Sequence, residues 1–133
     1  MKATKAKIVK SLPVGAFVPT CDNSGAKKIQ IISVKGHKTV KGRRSAAVIG
    51  DYVTASVKTG VTDMRKTVVN AIIVRQRKEY RRADGTRIKF EDNAAVVLKD
   101  ERGTPKGTIL KGPIAKEAAE KWPGIAKLAS IVV

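Results

Sequence analysis

The side chains best suited to chemistry are cations carried on a glycine-containing loop. Residues 35–44 hold five positive charges in ten positions, with Gly36 and Gly42 among them. Glycine lets a backbone approach a surface closely, and Lys and Arg neutralise phosphate groups. The alternative is a solvated hairpin tip, but few acids compensate these charges, so the loop predicts phosphate contact. Its candidate binding residues are Lys35, His37, Lys38, Lys41, Arg43 and Arg44.

A second basic surface is predicted on a hairpin whose turn is Asp84-Gly85, a pair that favours two-residue turns. That turn would place Arg82 opposite Arg87 and Tyr80 opposite Lys89. Like charges directly opposite destabilise a hairpin, and a bound polyanion would remove the penalty. The alternative is that the long side chains splay into water. The predicted contact residues on this face are Lys78, Arg82, Arg87 and Lys89.

Other polar residues give weaker signals. The loop 102–107 is basic and contains glycine, and it adds Arg102 and Lys106 as candidates. His37 is interpreted as a polar loop residue rather than a base or metal ligand, because it is the only histidine. Cys21 is predicted to be a small buried residue. Turn formation explains the acids more simply than a metal-dependent nuclease site does. These acids are Asp22, Asp51, Asp84 and Asp92.

Composition limits the function classes. The chain has 133 residues and a net charge of +17, which favours one domain with a polyanionic partner. Nucleic acid is the first expectation and an acidic membrane surface the second. One cysteine excludes an intrachain disulfide framework, and no apolar run is long enough to span a bilayer. We expect a reduced, intracellular protein without a metal or cofactor.

Strand patterns dominate the first hundred residues and must position these loops. The segments 28–34, 52–58, 68–74 and 94–98 are rich in β-branched or apolar residues and have strand length. Many short strands with close turns predict a mainly β fold, for which we favour a small barrel. The predicted divisions are a basic N-terminal segment at 1–19, a β-barrel at 20–111 and a helical segment at 112–133.

One helix is predicted near the end of the chain, entering at Gly112-Pro113 and ending at Pro123-Gly124. Its buried stripe would contain Ile114, Ala118 and Trp122, with Trp122 docked against the barrel. The side chains predicted to face away, in two ion pairs of helical spacing, are Lys116, Glu117, Glu120 and Lys121. A further short turn is predicted at 125–128.

Aromatic residues are scarce, since the chain contains only five. Modules that read single strands stack bases on exposed aromatic rings. We expect Phe17 and Phe90 in the core, which leaves too few rings for such a platform. The cations therefore predict contact with the sugar-phosphate shape of folded RNA, although composition alone does not separate RNA from DNA.

A composite motif points to a family. It consists of Ala-Ile-Ile-Val at 71–74, Asp84-Gly85, Phe90, Asn93 and Val-Val at 96–97. With the turn Asp-Asn-Ser-Gly-Ala-Lys at 22–27, it resembles the signature of the universal large-subunit ribosomal protein L-fourteen family. The resemblance runs from about residue 20 to the end of the chain. The segment 31–36 and the long basic N-terminal stretch resemble the archaeal and eukaryotic branch, and the total length suits an archaeal member.

The resemblance implies a five-stranded β-barrel with short C-terminal helices and a non-catalytic, structural role in the cytoplasmic ribosome. It implies binding of large-subunit ribosomal RNA, a bridge to small-subunit ribosomal RNA, and contacts with neighbouring ribosomal proteins and an anti-association factor. No membrane and no homo-oligomer are expected. Matched family segments add Asn23, Ser24, Lys27 and Lys28 as RNA-binding residues. The residues matching a region near the subunit interface are Lys116, Lys121 and Trp122.

Two other classes of function stay open at this point. One is a free-standing nucleic-acid-binding barrel, such as an RNA chaperone or a DNA-compacting protein. The other is the nuclease, which would require magnesium-dependent cleavage that is lost in Asp51→Asn or Asp84→Asn.

Overall fold

The computed structural model of the protein describes residues 3–133. The fold is mainly β, with two short helices near the C-terminal end of the chain. No helix in residues 3–133 is long and apolar enough to cross a membrane. The strands are β1 (Leu12–Pro13), β2 (Phe17–Pro19), β3 (Ala26–Val34), β4 (Ala46–Ala47), β5 (Tyr52–Gly60), β6 (Val68–Arg75), β7 (Tyr80–Arg81), β8 (Arg87–Ile88), β9 (Ala94–Val97), β10 (Pro113–Ile114) and β11 (Ile131–Val132). The helices are α1 (Lys116–Lys121) and α2 (Pro123–Leu128).

One antiparallel sheet organises the molecule, with strand order β2-β3-β5-β6-β9. The sheet curls into a half-barrel, and its first and last strands meet where Thr20 pairs with Ala95. The amide of Cys21 donates to the carbonyl of Ala95 at 3.1 Å and holds this closure. The predicted five-stranded architecture is confirmed. The sheet begins at Phe17, within the segment that was assigned to the basic N-terminal stretch.

The apolar run of β6 is buried on both faces, which explains why it does not alternate with polar residues. Ala71 and Ile73 pack inside the half-barrel, with Val53 of the neighbouring strand. Ile72 and Val74 pack on the opposite face, against residues of the C-terminal segment. Burying apolar surface on both sides stabilises the sheet and fixes the helices to it. The four predicted strands therefore match β3, β5, β6 and β9 closely.

The segment that begins at Gly112-Pro113 differs from the sequence prediction. Pro113 and Ile114 form a strand that pairs in parallel with Ile131 and Val132. The helix begins three residues later, at Lys116, because Ala115 is extended and its amide donates to the carbonyl of Val74. Pro123 ends the first helix as predicted and starts the second. The predicted helix is thus shortened to the six residues of α1, and the short turn predicted at 125–128 lies within the six-residue α2.

The predicted buried stripe of the helix is confirmed, since Ile114, Ala118 and Trp122 all lie in the core. The prediction that Glu117 faces away is wrong, because Glu117 is only 6% exposed. Helical periodicity identifies the face that packs on the barrel, but it does not reveal that the hairpin β7–β8 covers a second face. Lys116 and Glu120 do form the predicted ion pair, at 3.9 Å.

The prediction that Phe17 lies in the core is wrong, because Phe17 is 54% exposed. It sits on the edge strand β2, where the alternation of side chains turns Val18 inward and Phe17 outward. Phe90 and Cys21 are buried, as the sequence had indicated. One exposed aromatic ring is therefore present on the outer face of the sheet, beside Lys28, whose ammonium lies 5.9 Å from the ring centre.

Candidate nucleic-acid interface

The basic loop 35–44 leaves the sheet at the end of β3. The amide of His37 donates to the carbonyl of Val34 at 3.3 Å, which closes the first turn. Lys41 and Gly42 both adopt positive φ angles, 62° and 72°, and they reverse the chain again at the loop tip. A non-glycine residue rarely adopts this conformation, so Lys41 marks a sharp reversal of the backbone at the tip. All of residues 35–44 except His37 are exposed.

The charges of this loop have no acidic partner among the residues that the structure describes. No ion pair in residues 3–133 includes any of its five cationic side chains. One of them, Lys35, places its ammonium 4.8 Å from the centre of the Tyr52 ring. Uncompensated exposed cations on a shaped loop create a positive potential that attracts phosphates. These cations are therefore available to an external anion, and their phosphate-binding role stays a prediction.

The hairpin β7–β8 has a different register from the one predicted. Its loop contains three residues, 83–85, because the amide of Arg82 donates to the carbonyl of Thr86 at 2.8 Å. Gly85 provides the positive φ, 91°, that this turn requires. Arg81, not Arg82, lies opposite Arg87, and Tyr80 lies opposite Ile88, not Lys89. The like-charge pair exists, but with one partner changed.

Arg82 is part of a buried network instead of pointing to solvent. Its Nε donates to Glu117 Oε1 at 2.7 Å, and the Tyr80 hydroxyl donates to Glu117 Oε2 at 2.7 Å. A third contact joins Arg82 Nη2 to the Val133 carbonyl oxygen at 2.6 Å. These bonds tie the hairpin to α1 and β11. They correct the expectation that Arg82 shares an exposed basic face.

The electrostatics of this network follow from burial and hydrogen bonding. Burial disfavours the Arg82 cation, but its hydrogen bonds to Glu117 and Tyr80 outweigh this and raise the pKa of Arg82. Burial is the main cause that raises the pKa of Tyr80, and the hydrogen bond to the Glu117 carboxylate raises it further. Arg82 therefore stays charged and Tyr80 stays neutral, as a stable link between elements requires.

The rest of the predicted hairpin face is exposed. Lys78 and Lys89 take part in no ion pair within residues 3–133, whereas Arg87 lies 3.7 Å from Glu79. Such an exposed pair contributes little to stability. Two neighbours that the sequence reasoning missed, Arg77 and Arg81, are also exposed. The strand register was the missing signal, because it decides which arginine points outward.

The early turn has a structural role. Asn23 Oδ1 accepts from the amide of Thr108 at 2.8 Å, and Asn23 Nδ2 donates to the Thr108 hydroxyl at 3.0 Å. The Ser24 hydroxyl donates to Asp22 Oδ1 at 2.9 Å. The side-chain groups of Asn23 and Ser24 thus hold the turn in place. Lys27 and Lys28, which follow them on β3, are exposed.

The third basic loop and the C-terminal candidates are partly engaged. Arg102 is exposed, and Lys106 places its Nζ 3.2 Å from Met64 Sδ. Lys116 is exposed, but Lys121 is mostly covered and lies 4.0 Å from Asp51. Trp122 is buried, and its indole N–H donates to the carbonyl of Gly50 at 2.8 Å. Its predicted docking against the barrel is confirmed, and its ring joins the helices to the sheet.

The four aspartates do not assemble into one site. Asp22 Oδ2 accepts from the amide of Val97, Asp51 from that of Val48 and Asp84 from that of Thr86. The remaining one, Asp92, forms an ion pair with Arg75. No group of three or more metal-ligating side chains occurs within residues 3–133. The turn roles that the sequence indicated account for Asp51 and Asp84, whereas Asp22 also links its turn to β9, 75 positions away in sequence.

Comparison with known proteins decides the family. The family model described as ribosomal protein L14p/L23e matches residues 11–133. The chain belongs to the ribosomal protein L14p/L23e family. It is 56% identical to the large ribosomal subunit protein uL14 of Nanoarchaeum equitans, over all of both chains. It is 54% identical to the protein of the same name from Methanococcus vannielii, over 99% of each chain.

Family membership confirms several predictions. A ribosomal protein of this family is a structural, non-enzymatic component of the ribosome, so the nuclease alternative is set aside. The predicted resemblance to the archaeal and eukaryotic branch is confirmed, since both of these relatives are archaeal proteins. The predicted location in the cytoplasmic ribosome is confirmed in the same way.

Proposed function

We propose that this member of the L14p/L23e family is built into the large ribosomal subunit and binds large-subunit ribosomal RNA through its basic loops. One observation carries the proposal. The five cations of loop 35–44 are exposed and form no ion pair within residues 3–133, on a chain of net charge +17. The names of the relatives, which are large-subunit proteins, support the same conclusion.

The fold explains how binding would be efficient. Both ends of the loop lie on paired strands, because Val34 on β3 is opposite the buried Val53 and Ala46 on β4 is opposite Pro13 of β1. A loop with a defined shape loses less conformational entropy on binding than a disordered one. Each phosphate that a cation neutralises releases condensed counterions, so affinity falls as salt rises. Lys27, Lys28, Lys78, Lys89 and Arg102 extend the proposed surface.

We assign contacts with other ribosome components to the C-terminal segment. Lys116 and Glu120 are exposed on α1, and Ile131 and Val132 are exposed on β11. Mixed charges beside apolar side chains suit a protein or RNA neighbour. The family resemblance supports a bridge to small-subunit ribosomal RNA, neighbouring ribosomal proteins and an anti-association factor at this surface. Trp122 contributes by fixing the helices, since its ring is buried.

The experiment is a salt titration of binding to purified archaeal large-subunit ribosomal RNA. The triple variant Lys38→Ala, Arg43→Ala, Arg44→Ala removes three unpaired loop cations. A charge-matched control, Lys58→Ala, Lys99→Ala, Lys127→Ala, removes three exposed cations elsewhere that take part in no ion pair within residues 3–133. We expect the loop variant to bind more weakly and to lower the slope of log affinity against log salt by about 3, one for each phosphate contact. The control should change the slope by less than half as much.

Two results would contradict the proposal. One is a loop variant that binds like the unmodified protein while its fold is retained. The other is equal binding of the unmodified protein to folded ribosomal RNA and to DNA of the same length. The second result would instead support the free-standing nucleic-acid-binding barrel.

A further inference from the structure

A small cleft lies where the N-terminal segment meets the basic loop. Its volume is about 220 Å³, and the polar side chains that line it are Lys10, Lys35, His37 and Asp51. A phosphate group fits into a space of this size. The cleft brings Lys10 of the N-terminal segment next to His37, the one histidine of the chain. Lys10 is not among the RNA-binding residues predicted from the sequence.

The two ring nitrogens of His37 have different neighbours. Nδ1 accepts a hydrogen bond from the amide of Ala46 at 3.2 Å. Nε2 lies 2.7 Å from Lys10 Nζ. A neutral imidazole has one acceptor nitrogen and one N–H donor. Both neighbours are donors, so a neutral ring can accept from only one of them. The amide of Ala46 is fixed in the backbone of β4, whereas the Lys10 ammonium lies on an exposed side chain that can turn away, so we assign the hydrogen to Nε2 and the acceptor role to Nδ1.

This tautomer makes Lys10 and His37 two donors that face each other. An ammonium group has only donors, so it cannot accept from the Nε2–H of His37. Two donors that converge without an acceptor repel each other. The two nitrogens are only 2.7 Å apart, so an oxyanion enters when the exposed Lys10 side chain swings aside, and it then accepts from both donors and relieves the repulsion. The arrangement is therefore incomplete within the protein and complete when a phosphate is present.

We propose that Lys10 and His37 form a phosphate-binding site in this cleft, which takes one backbone phosphate of the ribosomal RNA. That the phosphate belongs to ribosomal RNA rests on the proposed function, whereas the positions of Lys10 and His37 do not depend on it. Lys10 supplies the charge, and the Nε2–H of His37 supplies a directed donor from the wall of the cleft. The bound phosphate fastens the N-terminal segment to loop 35–44.

The charges around the cleft allow an anion to bind. Lys35 adds a second positive charge, and it lies over the ring of Tyr52. Asp51 is the opposing acid, and its oxygens already have partners. Oδ2 accepts from the amide of Val48 at 3.0 Å, and Oδ1 lies 4.0 Å from Lys121. The lining therefore keeps an excess of positive charge beside the two donors.

The first test measures the tautomer of His37 by nitrogen-15 NMR of the free, full-length protein, before and after inorganic phosphate is added. We expect hydrogen on Nε2 and none on Nδ1, and a shift of the Nε2 resonance when phosphate binds. Hydrogen on Nδ1, with Nε2 accepting from Lys10, would overturn the proposal. In that state the pair is an ordinary internal hydrogen bond.

The second test uses variants and the ribosomal RNA salt titration. Lys10→Ala and His37→Phe should each weaken binding, and Lys10→Ala should lower the salt slope by about 1. His37→Gln should bind like the unmodified protein, because its amide can present an N–H donor where the imidazole Nε2–H lies. Lys127→Ala is the single-charge control, with its cation on α2, away from the cleft.

The outcomes separate this inference from the proposed function. If the unmodified protein binds ribosomal RNA but the Lys10 and His37 variants bind equally well, the phosphate site is wrong and the proposed function stands. A second result would also overturn the phosphate site for RNA. In it, inorganic phosphate shifts the His37 Nε2 resonance, but Lys10→Ala binds ribosomal RNA like the unmodified protein, so the ligand of the cleft would be a free anion. If the unmodified protein does not bind ribosomal RNA, the proposed function fails first.

Discussion

Two groups of cations in this protein carry the same charge and have opposite surroundings. Arg75 and Arg82 are largely buried, and each binds a carboxylate and at least one backbone carbonyl. The cations of loop 35–44 are exposed and have no acidic partner within residues 3–133. The first group holds elements of the fold together, while the second is available to a polyanion. The net charge of +17 alone therefore does not tell which cations stabilise the fold and which are free to bind a polyanion. The position of each cation decides this.

The largest predicted effect is that of removing Arg75. Its Nε and Nη2 bind both oxygens of Asp92, and its Nη1 donates to the carbonyls of Lys111 and Pro113. A Cβ at Gly112 would come within 2.8 Å of Nη1, so glycine is needed for this close approach. Arg75→Ala leaves these acceptors without partners, and we expect a loss of about 3 kcal/mol in the free energy of unfolding.

Urea denaturation measures this loss, with Arg44→Ala from the basic loop as the matched control. The control should change the free energy of unfolding by less than about 0.5 kcal/mol. Arg75→Lys should recover only part of the stability, because an ammonium cannot reproduce the planar fork. Equal stability of Arg75→Ala and Arg44→Ala would remove the distinction between the two groups.

A smaller effect is predicted for Arg82, whose neighbour Arg81 in the hairpin β7–β8 provides the contrast. Arg82→Ala leaves the buried Glu117 without its cation, and we expect a loss of about 2 kcal/mol in the free energy of unfolding. Arg81→Ala removes an exposed cation, so we expect little change in stability and a lower salt slope for ribosomal RNA binding. Denaturation and the salt titration, applied to both variants, check the contrast. If Arg82→Ala changed RNA binding more than stability, Arg82 would belong with the loop cations.

The long strands were predictable from the sequence because their apolar patterns are local. The run at 71–74 and the alternation in Tyr52–Gly60 each give enough consecutive residues to define a strand. The two-residue strands Pro113–Ile114 and Ile131–Val132 were not predicted, because two residues contain no period. Their pairing depends on where the chain returns, which is a long-range property.

In the candidate site, too, local features were predictable from the sequence and features that depend on distant residues were not. The unpaired state of loop 35–44 was predictable, because the segment contains no acid and the whole chain has few. The role of Arg82 was not, because its partner Glu117 is 35 positions away in sequence. Asp84-Gly85 correctly marks the turn, but a three-residue loop shifts the register and exchanges Arg81 for Arg82. Cross-strand contacts therefore decide which basic residues remain free.

The smallest predicted effect uses Cys21 to test the buried surroundings of Arg75. Burial raises the pKa of the Cys21 thiol from 9.0 to about 11, and the charge of Arg75 lowers it in part. A folded-state pKa above the unfolded one means that stability present below pH 9 is lost as the pH rises towards 11. We expect the free energy of unfolding to fall by about 1 kcal/mol more in the unmodified protein than in Cys21→Ala between about pH 9 and pH 10. Lysine and tyrosine titrations are common to both proteins and cancel in this difference, so parallel pH profiles would show that the thiol is not held in a buried site. Because none of the loop cations lies in such a site, Arg44→Ala should leave the difference unchanged.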